Sequence, residues 1–262
     1  MFPKVISIGA FFLPAYGLLV AAGFLAGLWI TARLASRAGL NPQTVTDLGV
    51  YVALAGLVGA KLLMMAYDFS YYVEHPGEIL SFATLQAGGV FYGGLIAALL
   101  VAIWYVRSNK LEFLPVADAF APGIAAGHAL GRLGCLAAGC CWGIPCDRPW
   151  AITFRDPEAH RLVGVPLGVP LHPTQLYEAF AELATFGILY RQLAKLHAPG
   201  KIIGLYLIFY PSARFVIEFF RAHDQPNPFA WKLSTAQWIT LALIGVGSWL
   251  VLRKPGRLAQ SA

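Results

Sequence analysis

The feature that most limits this chain is a succession of apolar blocks, each about twenty residues long and closed by basic or polar residues. Seven can be marked, at about 11–31, 45–67, 82–106, 115–138, 173–195, 201–220 and 234–252. A helix of roughly 20 residues crosses the hydrocarbon layer of a bilayer, and backbone inside that layer must satisfy its own hydrogen bonds. The expected class is therefore an all-α polytopic membrane protein with about seven transmembrane helices, organised as a single membrane-embedded domain over 1–262. Only 12% of the residues are charged, against about 25% in soluble proteins, so an ordinary soluble globule is excluded. The first block is too long for the apolar core of a cleavable signal, about 7–15 residues, and no small-residue cleavage site follows it. Between blocks four and five the chain turns polar and rich in glycine and proline, and 138–172 reads as a small external head.

The net charge of +6 does not mark a nucleic-acid binder, because the basic residues form no patch with interleaved aromatics. They gather at the ends of the apolar blocks. One side collects Arg33, Arg37, Arg107, Lys110, Arg191, Lys195, Lys201, Arg253, Lys254 and Arg257; the other holds Lys4, Arg148, Arg155, Arg161, Arg221 and Lys232. Cytoplasmic loops carry the excess of Lys and Arg, so the C-terminus is expected in the cytoplasm and the N-terminus outside.

Within the blocks, ionisable residues are few and placed where they cost most. An ionised side chain at bilayer depth costs at least about 2.5–3.5 kcal/mol and normally marks a functional site. Arg132 sits between Gly131 and Gly134, with Gly127 and His128 one turn earlier. Lys61 and Arg214 are the other core cations, and Asp118, Glu178, Glu182 and Glu218 are acids in or near the blocks. Several helices are thus expected to present charge to one cavity. Arg214 and Glu218, at i and i+4 with Tyr210 one turn before, can pair on one helix face. One reading is a pair that neutralises itself to survive burial. The other is a phosphate site, since two guanidinium forks suit a phosphate, and the abundant phosphate in a bilayer belongs to lipid headgroups. Stabilising a phosphate leaving group would then be the main catalytic device.

Four cysteines, Cys135, Cys140, Cys141 and Cys146, fall within twelve residues. Cys135 reads as a small buried hydrophobe. The others suit a disulfide on an oxidising side of the membrane, and a thiolate beside Arg132 is a third reading. The spacing C-x4-C-C-x4-C is not a familiar zinc pattern, and His128 and His160 are not at ligand spacing, so no metal is expected. Gly23-x-x-x-Gly27 is a small-residue pattern for close helix packing, internal or against a partner.

The motifs together resemble the prolipoprotein diacylglyceryl transferase family. Gly131-Arg132-Leu133-Gly134 through Trp142-Gly143 is similar to its signature G-R-[IL]-G-N-F-x-N-G-E-x-x-G. Tyr16-Gly17, Gly59-Ala60-Lys61-Leu62, Gly88-Gly89-Val90-Phe91-Tyr92-Gly93-Gly94-Leu95, and Asp118 with Ala121-Pro122 resemble further family motifs. So do His172-Pro173-Thr174-Gln175-Leu176-Tyr177-Glu178, Tyr210 to Asp224 with its Arg214-Phe215 and Glu218-Phe219-Phe220-Arg221, and Leu233-Ser234-Thr235-Ala236-Gln237. The ordered set covers nearly the whole chain. It implies a multi-pass enzyme of the bacterial inner membrane, N-terminus outside. The implied reaction moves a diacylglyceryl group from phosphatidylglycerol to the lipobox cysteine thiol of a prolipoprotein signal peptide, among membrane lipids, without a cofactor and with release of glycerol phosphate. By the same resemblance Arg132 and Arg214 bind and stabilise the phosphate, and Tyr16, Tyr210 and Glu218 line or brace that cavity. Lys61 and Cys135 are further substrate-binding candidates.

The departures from the pattern concern proton handling. Tyr92 stands where the family has a histidine proposed as general base, and a phenol of pKa about 10 is a poor base near neutrality. The signature asparagines are Cys135 and Ala138, and its glutamate is Cys140. His128 shares a helix face with Arg132 and is the expected replacement base, with Tyr92 kept for hydrogen bonding; the competing reading has His128 bond a neighbouring helix. Two alternatives to the family reaction follow: transfer of a related lipid group to another acceptor, and phospholipid binding without turnover.

Overall fold

A computed structural model describes residues 4–8, 11–81, 84, 88–222 and 233–253. Of the residues weighed above, Phe82, Asp224, Lys232, Lys254 and Arg257 lie outside the described residues. The chain divides into two units, 1–34 with 117–262, and 35–116.

In the first unit a short antiparallel hairpin, β1 (Lys4–Ile8) and β2 (Phe11–Pro14), precedes the helix α1 (Ala15–Arg37). The first apolar block therefore begins as a strand, and the helix starts just after Pro14, a residue that cannot donate to a continuing ladder. With a second two-stranded sheet described below, the fold is mostly helical and not purely so. In the second unit α2 (Pro42–Tyr67) opens on Asn41, whose side chain accepts from the backbone N–H groups of Gln43 and Thr44, with proline at the first helical position. A short helix, α3 (Phe69–Glu74), leads towards α4 (Phe91–Ser108).

The expected start of the third block at 82 is corrected by this geometry. Helix α4 begins at Phe91, and Gly93-Gly94 lies inside it. These glycines are packing surfaces. A Cβ on Gly94 would stand 2.8 Å from the Gly56 carbonyl oxygen, and one on Gly59 would stand 2.5 Å from that of Gly93. Backbone meets backbone, so α2 and α4 pack at a distance only glycine permits.

The first unit uses the same device twice. Helix α5 (Phe113–Ala138) crosses α1 where Gly23 and Gly27 meet Gly127 and Gly123, and a Cβ on Gly23 would lie 2.6 Å from the Gly127 carbonyl oxygen. The Gly23-x-x-x-Gly27 pattern thus serves internal packing. After α5 the chain builds a small subregion. β3 (Ile152–Thr153) pairs with β4 (Pro170–Leu171), and α6 (Pro157–Val163) is capped by Asp156. Phe154, Ala159, Val165 and Leu171 form its own apolar core. Helices α7 (Thr174–Leu193), α8 (Lys201–Ile217, continued as a 3-10 turn to Phe220) and α9 (Thr235–Leu252) follow. Gly204 of α8 and Gly247 of α9 repeat the close crossing.

Among the described residues six helices are long and apolar enough to cross a membrane: α1, α2, α4, α5, α8 with its 3-10 extension, and α9. Helix α7 is not one of them, because Glu178, Glu182 and Arg191 interrupt its apolar run. Leu25, Leu57, Trp104 and Leu252 are more than half exposed on these helices, an arrangement costly in water and favourable against lipid. This is a multi-pass membrane protein.

Candidate active site

Four segments of the first unit bring charge to one place, and a carboxylate is its centre. Glu178, one turn into α7, is 2% exposed and faces three guanidinium groups. Arg132 Nη2 of α5 lies 2.7 Å from its Oε2, Arg214 Nη1 of α8 3.6 Å from its Oε1, and Arg221 Nη1 4.0 Å from the same oxygen. Arg214 also forms a close ion pair with Glu218, one turn on, as the i, i+4 spacing predicted. The two arginines expected to converge from separate helices do converge.

The sequence that holds this arrangement is legible residue by residue. Around the His172-to-Glu178 motif, Thr174 Oγ1 donates to the Cys141 carbonyl at 2.7 Å and Gln175 Nε2 to that of Cys140 at 2.6 Å. The Tyr177 hydroxyl meets His172 Nδ1 at 3.0 Å and accepts from Trp150 Nε1 at 2.8 Å. The start of α7 is thereby tied to the loop after α5, which aims Glu178 at Arg132. At the other side Ser234 and Gln237 cap α9 reciprocally. Ser234 Oγ donates to Glu218 Oε1 at 2.8 Å, and Gln237 Nε2 to the Phe215 carbonyl at 3.3 Å. The late motif is thus a clamp on the Arg214–Glu218 turn.

Three guanidinium groups against the two carboxylates of Glu178 and Glu218 leave one positive charge. Arg132 Nε is buried with no hydrogen-bond partner among the described residues. Buried polar groups are nearly always satisfied, and an orphan calls for a partner such as an unseen ligand. A surplus cation with a spare, fixed donor suits a phosphate monoanion.

One turn before Arg132, His128 Nδ1 lies 2.5 Å from Glu182 Oε1 of α7. Its ring stands edge-on to Tyr210, centroids 4.9 Å apart. The imidazole therefore bonds a neighbouring helix, and its partner is a carboxylate with no exposed surface. A carboxylate in that position orients an imidazole. Tyr16, at the start of α1, reaches the same neighbourhood. Gly134 allows this, since a Cβ there would touch the Tyr16 ring at 3.4 Å.

The cysteines depart from expectation. All four are thiols, so the disulfide reading is not realised. Cys146 Sγ is buried and accepts from the Arg148 backbone N–H at 3.4 Å. The sulfurs of Cys135, Cys140 and Cys141 lie within 4.8 Å of one another, and Arg132 Nη1 is 4.0 Å from Cys135 Sγ. Hydrogen bonding from Cys135 and Cys140, with Arg221 and Arg132 beyond, pulls the Cys141 thiol down, while hydrogen bonding with Cys135 and Cys141 pushes Cys140 up.

Asp118 is not part of this site. It accepts from the backbone N–H groups of Gly200 at 2.7 Å and Ile203 at 2.8 Å, and so caps α8. Lys61 and Tyr92 belong to the second unit. Lys61 Nζ donates to the Thr84 carbonyl at 2.6 Å, and Tyr92 is 60% exposed with its ring edge-on to Phe91. Glu178 and Glu182 were expected only as acids near a shared cavity and Arg221 only as a residue of a motif and of one membrane side, none with a role in the site. The signal was available: Glu178 and Glu182 are spaced i, i+4 on one face of a helix too polar for lipid.

The profile of the family described as prolipoprotein diacylglyceryl transferase matches residues 3–253. Similar proteins include one from Nitratidesulfovibrio vulgaris, 35% identical over 97% of this chain and 94% of its own length. Another, from Methylobacillus flagellatus, is 33% identical over 95% of each chain. One from Clostridium tetani is 30% identical over 88% of this chain and 89% of its own. All three are named phosphatidylglycerol–prolipoprotein diacylglyceryl transferase. By its match over nearly the whole chain, this protein belongs to the prolipoprotein diacylglyceryl transferase family.

Proposed function

We propose that this protein transfers the diacylglyceryl group of phosphatidylglycerol to the lipobox cysteine thiol of a prolipoprotein. Family membership supports the reaction, and the observation that carries the site is the convergence of Arg132 and Arg214 on Glu178. The acceptor sulfur attacks the terminal glyceryl carbon, forming a thioether. The bond from that carbon to the phosphate oxygen breaks, and glycerol phosphate departs with the electron pair. Arg132 and Arg214 hold the phosphodiester and neutralise the charge that grows on it as the bond breaks; removing one such donor typically costs about 100–1,000-fold in rate. Glu178 keeps the two forks apart and aimed, Glu218 braces Arg214, and Tyr16 and Tyr210 line the site. The proton of the thiol passes to His128, which Glu182 orients. On sequence grounds, Tyr92 contributes a hydrogen bond to substrate and Lys61 a further cation.

In this reading α7 is the seventh span, its charged face turned to protein and substrate. Residues 138–172 form an external head that admits the precursor peptide, residues 1–262 serve one activity, and membrane lipids surround the helices. The N-terminus lies outside and the C-terminus inside the bacterial inner membrane, as the Lys and Arg bias requires. The test is purified protein in phosphatidylglycerol liposomes with a lipobox peptide, read by mass spectrometry. A peptide heavier by one diacylglyceryl group is expected. Phospholipid turnover with an unmodified peptide moves the assignment to another acceptor, and phospholipid binding without turnover ends the enzymatic reading.

A further inference from the structure

The loop that follows α5 is built to bring three sulfurs together. Gly139 and Cys141 both have left-handed backbone, φ 81° and 60°, a conformation uncommon for a residue with a side chain. They fold the chain back so that the Cys140 N–H meets the Cys135 carbonyl at 3.0 Å. Gln175 and Thr174 then pin the Cys140 and Cys141 carbonyls from α7. With both carbonyls taken, the side chains of Cys135, Cys140 and Cys141 converge to within 4.8 Å. Three sulfurs on one tetrahedral zinc, at about 2.3 Å each, stand roughly 3.8 Å apart, so small rotations of the thiols suffice. The spacing in sequence argued against a metal because C-x4-C-C is not a familiar pattern. The left-handed turn replaces what spacing along a regular element would supply.

We propose that Cys135, Cys140 and Cys141 hold one zinc ion as three thiolates and leave its fourth position to the thiol of the acceptor cysteine. This rests on the transferase reading above. Zinc in catalytic sites keeps three protein ligands and one open position, and a thiol that coordinates it is deprotonated. Among the described residues no carboxylate or imidazole joins the three sulfurs to close the shell. Three thiolates on a divalent ion carry one net negative charge, and the Arg132 guanidinium lies 4.0 Å from Cys135 Sγ. The same guanidinium belongs to the phosphate site, so the ion holds the nucleophile beside the bond to be broken.

The acceptor S–H gives its proton to the His128–Glu182 pair, and the sulfur binds zinc as thiolate. A sulfur lone pair then forms the bond to the glyceryl carbon while the carbon–oxygen pair leaves on glycerol phosphate. The thioether is a poor ligand and dissociates, and zinc keeps its charge throughout. Activation by the ion supplies what the phenol of Tyr92 does not.

The test uses the full-length protein in detergent, stripped of metal, kept anaerobic and titrated with Co²⁺ as a coloured stand-in for zinc. A saturable thiolate-to-cobalt absorption at one ion per chain, displaced by Zn²⁺, is expected. It should weaken in Cys140→Ser and Cys141→Ser by more than the roughly 10–100-fold that an outer-shell change costs, and persist in Cys146→Ser. A lipobox peptide should shift the cobalt bands, and the same peptide with serine for cysteine should not. Absence of the absorption, equal affinity in Cys140→Ser, or a disulfide among the three thiols of the anaerobic protein overturns the site. Lipid transfer undiminished by metal stripping also overturns it and leaves the transferase reading standing. A peptide-sensitive cobalt site without lipid transfer retains the ion and removes that reading.

Discussion

Two buried carboxylates of the first unit, Asp118 and Glu178, show how differently the fold treats acids of similar burial. Each is 2% exposed. Asp118 accepts two short hydrogen bonds from the N-terminal backbone of α8, where the partial positive charge of a helix end suits an anion. Glu178 instead meets three guanidinium groups at 2.7, 3.6 and 4.0 Å, in a cluster where Arg132 Nε has no hydrogen-bond partner among the described residues. The first arrangement is complete without a ligand. The second is left with surplus charge and a spare donor, which costs stability and is retained where something must bind. Satisfaction of buried polar atoms, more than burial itself, distinguishes the two acids.

The comparison is sharpened most by breaking the second arrangement. Arg132→Gln or Arg214→Gln should reduce lipid transfer to a lipobox peptide by about 100–1,000-fold, measured by mass spectrometry on protein whose elution profile is unchanged. Next, His128→Gln should lower the transfer rate by about 100-fold or more while leaving the phosphatidylglycerol KM near its starting value. Full activity in this variant would remove His128 from proton transfer. Asp118→Asn should do the reverse: transfer per folded molecule unchanged, and a loss of about 1–3 kcal/mol in stability, seen as a lower Tm in detergent.

The smallest effect lies in the subregion between α5 and α7. Arg161 and Lys4 hold the Glu158 carboxyl down at about 2, from 4.5. A carboxylate whose folded pKa is depressed stabilises the fold above its unfolded value, and that contribution fades as pH falls from 4.5 towards 2. Because Glu158 and its partners are solvated, the change is slight. A plot of Tm against pH should lose a shallow slope in that window in Glu158→Gln and should be unaltered above pH 6.

The placement of helices was legible in the sequence wherever burial against lipid alone decides the matter. The blocks at 45–67, 115–138, 201–220 and 234–252 became helices within a few residues. Errors arose where local chemistry competes with apolar content. The stretch at 11–14 is apolar enough to extend α1 and instead pairs as a strand, and helix propensity says nothing of the facing Gly59 that packs on Gly93. In the site, Arg214 and Glu218 were paired correctly because their contact is one helical turn long. Glu178 was not recognised as the hub, because its partners are distant in sequence and come from other helices.

Apolar block length and charged-residue placement were therefore enough to determine membrane class, since each follows from the cost of burying charge or backbone in lipid, and motif order was enough to indicate the family. Only the tertiary structure decided that Asp118 caps a helix, that Glu182 holds His128, and that three cysteines of unhelpful spacing share one point. Such facts depend on distances across helices and on a left-handed turn, and neither periodicity nor composition encodes them.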